Sequence, residues 1–349
     1  MRVGLSLLTL VPAVSGGSET YARALARELA RRGEVDAVAL VPTLAPDAGE
    51  GLPTRVVDAY RAGRGSLRRA VSMVHATLWP GRLRRHYADL DLVHFPLTVP
   101  IPRVHAPTVV TLHDVQHLDL PRNFSRAERA FRRLAYDRAA RMADAVVVIS
   151  EFVRGRAIEL IDLDPERVHV VHLGVDHELY RPGDERRGDF LLYPARPWPH
   201  KNHELLFRAF SKLRRRHRGL ELVLPSYEGP VPEGARAVGH VSRSELARLY
   251  RTAAALVFPS LYEGFGLPPL EAMACGCPVA CSNAASLPEV VGDAARLFDP
   301  ESVEEIVAAV EDVLAEPEQW SERGRARATA FTWEATARAH CAVYSELVA

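Results

Sequence analysis

The chain has 349 residues, more than one hydrophobic core usually organises, so two domains are expected. Its 48% hydrophobic and 25% charged residues are typical of a globular protein. The 44 Lys and Arg balance the 44 Asp and Glu, which argues against a nucleic-acid-binding protein, because such a protein needs a strongly basic surface.

Short apolar stretches alternate with segments of helical period along the first half of the chain. Strands are predicted at 2–10, 35–42, 91–95, 108–112, 145–149 and 168–173. Helices are predicted at 18–32, 66–87 and 124–141. Buried strands separated by helices are typical of a parallel sheet covered on both faces, so an α/β domain is expected here.

The polar segment 176–190 interrupts this alternation and is the predicted linker, which joins the two domains near residue 180. After it, strands are predicted in FLLYPA, LELVLP, AALVFP, PVACS and ARLFD, with helices at 200–217, at 243–251 and from about 268. The chain is therefore predicted to contain two doubly wound α/β domains. Ligands of such domains bind beyond the carboxyl ends of the strands.

The N-terminus and the cysteines both indicate a cytoplasmic protein. The N-terminal apolar run of about ten residues is too short to cross a bilayer. It also lacks a signal-peptide cleavage pattern, so a buried strand is predicted. The cysteines do not have the spacing of a zinc site, and we expect inert buried thiols. These residues are Cys275, Cys277, Cys281 and Cys341.

Two candidate ligand-binding positions follow predicted strands of the first half. Gly16 and Gly17 lie between the first strand and the helix that Ser18 opens, without a dinucleotide fingerprint or a P-loop. His113 follows the strand in TVVTLHD, where a histidine can hydrogen-bond a sugar hydroxyl or help to move a proton. The alternatives are a tight turn at the glycines and a satisfied buried histidine.

Two cations, Arg196 and Lys201, lie between a predicted strand and a predicted helix of the second half. At such a junction they can neutralise a diphosphate and stabilise it as a leaving group. The alternative is solvated surface charge, the commonest environment of Arg and Lys.

Two glutamates, Glu263 and Glu271, flank the glycine- and proline-rich segment EGFGLPPLE. A strand precedes it, and a helix is predicted to start near Pro268. The amides around Gly266 and Leu267 would then face a ligand together with the positive end of the helix dipole. Both carboxylates, the second in the first helical turn, would reach one cavity and accept hydrogen bonds from paired hydroxyls. The alternative is an ordinary helix N-terminus.

The segment EGFGLPPLE resembles the E-x7-E motif of retaining glycosyltransferases of family 4, which have the GT-B fold. Six further segments match the family in the expected order: VSGGSETYA, TLHD, VVVISEFVRG, VHLGVD, ARPWPHKNHELLFRAF and GHVSRSELARLY. Seven segments in order, over most of the chain, are specific to the family. The loop at 197–200 is bulkier than in many relatives, so it would narrow the site or contact the donor.

The resemblance implies two Rossmann-like domains that face a central cleft. An acceptor-binding domain is expected at 1–178 and a nucleotide-sugar-binding domain at 179–330. A C-terminal helix at 331–349 is expected to pack back on the first domain.

The resemblance also implies the roles of the site residues. Arg196 and Lys201 would hold the diphosphate without an obligatory metal, Glu263 the transferred sugar and Glu271 the ribose. The implied catalytic residues are His113, Arg196, Lys201 and Glu263. The implied donor-binding residues are Gly16, Gly17, Arg196, Lys201, His240, Glu263, Gly264, Phe265, Gly266, Leu267 and Glu271, with the backbone at 239–241 near the base.

The implied activity is transfer of a hexose, with retention of configuration, from GDP-mannose or a UDP-hexose to a hydroxyl of a carbohydrate or lipid-linked acceptor. The product would belong to glycan, glycolipid or polysaccharide biosynthesis, and the nucleotide sugar would be a co-substrate, with no further cofactor. Two alternatives stay open: a catalytically silent module that binds sugar nucleotides or glycans, and a nucleotide-sugar epimerase.

Metal sites are not predicted. Two D-x-D sequences, at 89–91 and 162–164, are reminiscent of metal-dependent glycosyltransferases of another fold. Neither follows the carboxyl end of a strand, so helix-capping and turn roles are expected for Asp89, Asp91, Asp162 and Asp164. The histidines that lack the spacing of a metal-binding pair are His94, His105 and His117.

Arginines crowd two predicted helical regions of the first half. The first group is Arg61, Arg64, Arg68, Arg69, Arg82, Arg84 and Arg85, and the second is Arg122, Arg126, Arg129, Arg132, Arg133, Arg138 and Arg141. They share these regions with the apolar residues Leu67, Val71, Val74, Phe131 and Leu134. A basic amphipathic helix can lie on the inner face of an anionic membrane or face an anionic acceptor, but a solvated basic face is the favoured interpretation.

Overall fold

Two units of the chain fold around separate parallel sheets. The computed structural model describes residues 1–12, 16–61, 63 and 65–348, with the backbone alone at 66 and 67. The first unit contains Met1–Leu173 and Trp333–Ala349, and the second contains Gly174–Thr332. The structure thus divides the chain at 173/174 and 332/333, whereas the sequence predicts domain boundaries at 178/179 and 330/331.

The first unit is built on a seven-stranded sheet. Its strands are β1 (Arg2–Ser6), β2 (Asp36–Val41), β3 (Thr54–Val56), β4 (Leu92–Phe95), β5 (Thr108–Leu112), β6 (Ala145–Val148) and β7 (Val168–Val170). The helices among them are α1 (Gly17–Arg32), α2 (Ser66–Leu78), α3 (Gly81–Arg84), α4 (Gln116–Asp119), α5 (Arg126–Arg132), α6 (Arg138–Met142) and α7 (Glu151–Ile161).

The second unit is built on a six-stranded sheet. Its strands are β8 (Phe190–Leu192), β9 (Glu221–Pro225), β10 (Ala235–Gly239), β11 (Ala255–Phe258), β12 (Val279–Ser282) and β13 (Arg296–Phe298). Its helices are α8 (His203–Arg216), α9 (Arg243–Thr252), α10 (Leu267–Ala274), α11 (Leu287–Val291), α12 (Val303–Ala315) and α13 (Pro317–Ala328). The chain then returns to the first unit with α14 (Trp333–Val348).

Both sheets are doubly wound and reverse their strand order at one point. The first has the order β3-β2-β1-β4-β5-β6-β7, and the second has the order β10-β9-β8-β11-β12-β13. The reversal lies between β1 and β4 in one sheet and between β8 and β11 in the other. In such sheets ligands bind at the reversal, beyond the carboxyl ends of the strands. The segments that follow β8 and β11 are therefore the candidate ligand-binding edge of the second unit.

The interior strands are apolar on both faces, as a sheet covered by helices requires. In β6 the four residues Ala-Val-Val-Val are all buried, and so are the four residues Ala-Leu-Val-Phe of β11. This continuous burial explains why most of the predicted interior strands coincide closely with the observed ones. The strand predicted at 2–10 is an exception, since β1 ends at Ser6.

Several predicted elements are wrong in detail. The helix predicted at 66–87 ends at Leu78, because Trp79 precedes Pro80 and has left helical geometry (φ −124°, ψ 65°). The helix predicted at 124–141 contains a π-helical turn, Arg133–Asp137, between α5 and α6. The sequence does not predict β3 or β10, neither of which contains a buried residue.

A chain of buried hydrogen bonds ties α14 to the sheet of the first unit. Tyr21 Oη lies 2.7 Å from His340 Nε2 and 2.8 Å from Thr111 Oγ1. His94 continues the chain, with Nε2 2.8 Å from Thr111 Oγ1 and Nδ1 2.7 Å from the hydroxyl of Tyr344. These contacts join α1, β4 and β5 to two turns of the C-terminal helix.

One assignment of protons satisfies the whole chain. His340 Nδ1 donates to a backbone carbonyl 2.8 Å away, so its Nε2 accepts from the hydroxyl of Tyr21. Tyr21 in turn accepts from Thr111, Thr111 from His94 Nε2, and His94 Nδ1 from Tyr344. Both histidines must be neutral for this, and burial lowers their pKa, to about 4 for His340.

The four cysteines are buried and unpaired, which confirms the predicted buried thiols. Burial raises the pKa of the Cys277 thiol to about 12. Among the helices of the described residues, none is long and apolar enough to cross a bilayer.

Replacing Tyr344 by Phe should lower the free energy of unfolding by about 1–3 kcal/mol, because the substitution leaves the buried Nδ1 of His94 without its donor. Ser345→Ala is a matched control on the same helix, since that hydroxyl bonds only to a carbonyl of its own helix. It should change stability by less than about 0.5 kcal/mol. Urea titration followed by circular dichroism measures both, and equal effects would contradict the proposed hydrogen-bond chain.

Candidate active site

The strongest candidate site lies where β8 and β11 end, at the reversal of the second sheet. Lys201 closes a 3₁₀ turn, Pro199–Lys201, in the connection after β8. Glu263 lies in the loop after β11. Parallel strands that are neighbours bring their following loops together, so a cation and a carboxylate far apart in sequence meet here.

Lys201 and Glu263 form an ion pair. Lys201 Nζ lies 2.5 Å from Glu263 Oε1, and each side chain is only 14% exposed. The ammonium also lies 5.8 Å from the centre of the Phe258 ring. Lys201 is one of only two lysines among the 44 basic residues of the chain. An ammonium is a compact point charge that a guanidinium does not replace geometrically.

Hydrogen bonds to backbone carbonyls hold the two loops in place. Leu261 N donates to His200 O at 2.8 Å. Asn202 Nδ2 donates to Pro259 O at 3.2 Å and to Pro300 O at 2.7 Å. Asn202 itself has left-handed geometry (φ 58°, ψ 38°), which asparagine tolerates better than most residues. The ion pair is thus carried by two loops that are fixed in one arrangement.

The loop that carries Glu263 is also fastened to the start of α11. The buried hydroxyl of Ser286 lies 3.0 Å from Glu263 O and 2.7 Å from Phe265 O. Gly266 follows with φ 121°, and a Cβ added there would lie 2.8 Å from Leu287. Glycine is therefore required at 266 on both conformational and steric grounds.

The helix after this loop begins one residue earlier than predicted. Leu267 is the first residue of α10, followed by Pro268 and Pro269, and no side chain among the described residues caps this end. Glu271 is the fifth residue of α10, so it lies in the second turn. The prediction that it lies in the first turn is wrong.

Glu271 lies in a cluster of its own. Tyr250 donates a hydrogen bond of 3.2 Å to Glu271 Oε2, and the hydroxyl of Tyr180 also interacts with this carboxyl group. Arg243 lies nearby, 3.1 Å from Asp176 and 5.8 Å from the Tyr180 ring. Burial raises the pKa of Glu271 to about 7, although the hydroxyls and Arg243 act in the opposite direction.

Arg196 lies on the outside of the same connection as Lys201. It is exposed, and its guanidinium carbon lies 5.8 Å from the ring centre of Trp198, which is 51% exposed. The structure therefore brings Lys201 and Glu263 together and leaves Arg196 beside Trp198. His240 is exposed just after β10, where Gly239 has φ 65°.

In the first unit the candidate residues also follow strands. Gly16 precedes α1 with φ 56°, and Gly17 is the first residue of that helix. The preceding residues of the matching segment, Val14 and Ser15, lie outside the described residues. A side chain at 17 would meet open space, so the positive φ at 16 is what calls for glycine.

His113 follows β5 directly. Its Nε2 donates to Pro96 O at 2.8 Å, which leaves Nδ1 as the acceptor of a neutral ring. The ring packs edge-on against Tyr21 at 5.1 Å. Burial lowers its pKa, so the neutral form is favoured.

The two D-x-D sequences have structural roles. Asp164 accepts from Glu166 N and caps a 3₁₀ turn, as predicted. Asp89 is ion-paired with Arg55, at 2.6 Å. The neighbouring guanidinium lowers the pKa of Asp89 to about 2. Within the described residues, no group of three or more His, Cys, Asp or Glu is placed to hold a metal ion.

The sequence misses the side chains that surround the two glutamates. Tyr180, Arg243 and Tyr250 lie around Glu271, and Ser286 anchors the loop of Glu263. These residues come from the segment after residue 174, from α9 and from the start of α11, and no local spacing links them to the E-x7-E segment. His117, to which no role was assigned, forms a buried pair with Asp137 at 2.8 Å.

Comparison with known proteins places this fold among the GT-B glycosyltransferases. Two family models match: "Glycosyltransferase Family 4" over residues 15–179 and "Glycosyl transferases group 1" over residues 226–328. The O-antigen chain mannosyltransferase B of Escherichia coli is 32% identical in an alignment of 256 positions that covers 65% of this chain and 67% of that protein. The chain therefore belongs to glycosyltransferase family 4.

Solved structures confirm the predicted fold. Sucrose-phosphate synthase from Thermosynechococcus elongatus superposes with a TM-score of 0.80 at 20% identity, over 99% of both chains. HepE from Anabaena, solved with UDP and glucose, superposes with a TM-score of 0.73 at 16% identity, over 99% of both chains. The chain spans 33–67% of the length of the curated relatives it matches.

The cluster around Glu271 gives the stability of the unliganded protein a specific pH dependence. Between pH 4.5 and about 7 the folded state keeps a proton on Glu271 that the unfolded chain has lost. The free energy of unfolding should therefore fall as pH rises through this window, by about 1–3 kcal/mol. Glu271→Gln should remove this component, as measured by urea titration at several pH values.

The matched control is Glu322→Gln, at an exposed position of α13, which should leave the slope with pH unchanged. A wild-type slope retained in Glu271→Gln would show that Glu271 does not titrate in this window.

Proposed function

We propose that this glycosyltransferase is a retaining hexosyltransferase that moves a hexose from a nucleotide-diphosphate sugar to an acceptor hydroxyl. The observation that carries the proposal is the Lys201–Glu263 ion pair at the reversal of the second sheet. GDP-mannose and a UDP-hexose are the candidate donors. The name of the E. coli relative supports mannosyl transfer, and HepE shows that the fold accommodates UDP and glucose.

Donor binding would exchange the partners of the ion pair. The diphosphate carries more negative charge than one carboxylate, so it competes for Lys201 Nζ. Glu263 is then released to accept hydrogen bonds from hydroxyls of the transferred hexose. Because both loops are already fixed by backbone contacts, this exchange needs only side-chain movement.

The positive charge at the diphosphate would come from three sources. Lys201 contributes an ammonium, and Arg196 reaches the same phosphates by leaving Trp198. The N-terminus of α10 adds the positive end of its dipole, with the backbone at 264–267 close to the ligand. These groups stabilise the leaving diphosphate, so no obligatory metal is part of the proposal.

The nucleoside would lie on the other side of the E-x7-E segment. Glu271 would accept hydrogen bonds from the two ribose hydroxyls, with Tyr180, Tyr250 and Arg243 positioning its carboxylate. The backbone near Gly239 and His240 would contact the base. Ribose hydroxyls are donors to a carboxylate, so binding favours the ionised form of Glu271.

Within the first unit, His113 and the glycine turn would be the groups available to sugar hydroxyls. The free lone pair at Nδ1 of His113 can accept a hydrogen bond from a sugar hydroxyl. In the proposed step the acceptor oxygen bonds to the anomeric carbon on the face from which the diphosphate leaves. The bond from that carbon to the phosphate oxygen breaks, and the acceptor proton passes to the diphosphate, so no protein nucleophile is needed.

Lys201→Ala should slow release of nucleoside diphosphate from the donor by about 10²-fold or more, because the leaving group loses its buried cation. The matched control is Lys212→Ala, which removes the other lysine, on α8 and ion-paired with the exposed Glu304. It should retain wild-type activity. Release of GDP and UDP from GDP-mannose and UDP-glucose measures this, with melting curves to verify folding.

Other outcomes of this assay would contradict the proposal. Wild-type activity in Lys201→Ala would remove its basis. Donor binding without any cleavage would indicate a silent binding module, and conversion of the donor into an epimer without acceptor would indicate an epimerase. Inverted anomeric configuration in the product, seen by NMR, would contradict retention, and loss of activity with EDTA would contradict metal independence.

Donor binding should strengthen as pH rises to about 7 and then level off, because the ribose hydroxyls require ionised Glu271. A thermal-shift panel of GDP-mannose, UDP-glucose and ADP-glucose at pH 5.5 to 8 measures this and identifies the donor. Glu271→Gln should bind more weakly and without this pH dependence, whereas Glu322→Gln should behave as wild type. Absence of stabilisation by every donor would contradict the proposed function.

A further inference from the structure

The segment 59–88 has a charge pattern unlike that of the rest of the chain. It contains seven arginines and no Asp or Glu, in a chain whose formal net charge is zero. Six of these arginines lie in the described residues, and Arg61, Arg68, Arg82 and Arg85 are exposed. The flanking carboxylates are Asp58 and Asp89, and Asp89 is already ion-paired with Arg55.

The same segment exposes apolar side chains on one face of α2. Val71, Val74 and Leu78 are spaced i, i+3, i+7, which places them in one stripe along the helix. With Trp79 at the helix end, each is 57–63% exposed. Together they account for a large part of the exposed apolar side chains in the described part of the chain.

The opposite face of α2 is the one that packs on the protein. Ala76 is buried on this face. The half-buried residues Arg69, Ser72 and Met73 lie on the same face, because the four positions are spaced i, i+3, i+4 and i+7. A helix on the surface of a globular protein normally turns its apolar stripe inward and its polar face outward. In α2 the outward face is the more apolar one, so another apolar phase is expected to cover it.

We propose that the basic apolar face, formed by Val71, Val74, Leu78 and Trp79 with the surrounding arginines, docks on an anionic lipid bilayer. The helix lies parallel to the membrane plane with its stripe at the boundary between headgroups and acyl chains. The exposed arginines contact lipid phosphates, whose attraction adds to the apolar burial. Trp79 lies at the end of the stripe, and tryptophan is enriched at membrane interfaces.

Charge argues for a bilayer and against a second copy of the chain. A symmetric dimer would place the same patch on both sides of the contact, so the arginines of one copy would face those of the other without carboxylates between them. An anionic surface neutralises all of them at once. The second arginine-rich region is less suited, since Glu128 and Asp137 interrupt it.

The basic apolar face includes none of the residues proposed to bind the donor or to act in transfer. Membrane docking is therefore independent of the proposed function. An experiment can exclude membrane docking and still confirm glycosyl transfer. It can also exclude glycosyl transfer and still confirm membrane docking.

The test is flotation of the purified full-length chain with vesicles of phosphatidylglycerol and phosphatidylcholine in equal amounts, compared with phosphatidylcholine alone. The wild type should float only with the anionic vesicles. Arg82→Gln/Arg85→Gln should weaken binding by about fivefold for each arginine removed. The matched control is Arg215→Gln/Arg218→Gln, at exposed positions outside the patch, which should bind as wild type.

A second pair of substitutions tests the apolar part of the face. Val74→Ser/Leu78→Ser should weaken binding at least about tenfold, since two buried side chains are lost from the bilayer. Val348→Ser, at an exposed position in α14, should have no effect. Melting curves verify folding of every variant. For the wild type alone, raising NaCl from 0.1 to 1 M should release the protein, because screening weakens attraction to the lipid phosphates.

Three results would overturn the proposal. The first is a wild type that stays unbound with anionic vesicles or binds neutral vesicles equally well. The second is unchanged binding in both patch variants. The third is a dimer, seen by sedimentation velocity, that Val74→Ser/Leu78→Ser disrupts, since a second copy would then be the occupant of the face.

Discussion

The second unit depends on one largely buried ion pair, between Lys201 and Glu263. Neither charge is stable alone at such a position, since removal of one partner leaves the other desolvated and uncompensated. The surrounding contacts serve to keep both in place: Asn202 and the Leu261 amide join the loops, and Ser286 fastens the segment after Glu263. These contacts keep the Lys201 ammonium in a defined position. A ligand that carries more negative charge than a carboxylate can therefore compete with Glu263 for it.

Much of the fold is predictable from the sequence, because the interior strands are covered on both faces and appear as continuous apolar runs. β5, β6 and β11 are of this kind. β3 and β10 lie at sheet edges and contain no buried residue, so neither appears in the sequence as a continuous apolar run. The break before Pro80 depends on one residue inside a strongly periodic segment, and the periodicity hides it.

The candidate site was predictable in part. Spacing alone locates the two glutamates, and the order of strands and helices places Lys201 at a strand end. Spacing cannot show that the two glutamates contact different side chains. Glu263 faces a lysine that is 62 residues away, while Glu271 lies among Tyr180, Tyr250 and Arg243 from separate elements. Such partnerships follow from the strand order, which brings distant loops to one edge of the sheet, and no short stretch of sequence encodes them.

The scarcity of lysine in this chain has a practical consequence. Reagents that acylate primary amines find only three candidate groups in the sequence: the N-terminus, Lys201 and Lys212. Lys212 lies on an exposed helical surface, whereas Lys201 is held against a carboxylate at 14% exposure. The ratio of label on Lys201 to label on Lys212 therefore reports whether a ligand is bound at the sheet edge. It can be determined by peptide mass mapping without knowledge of the acceptor.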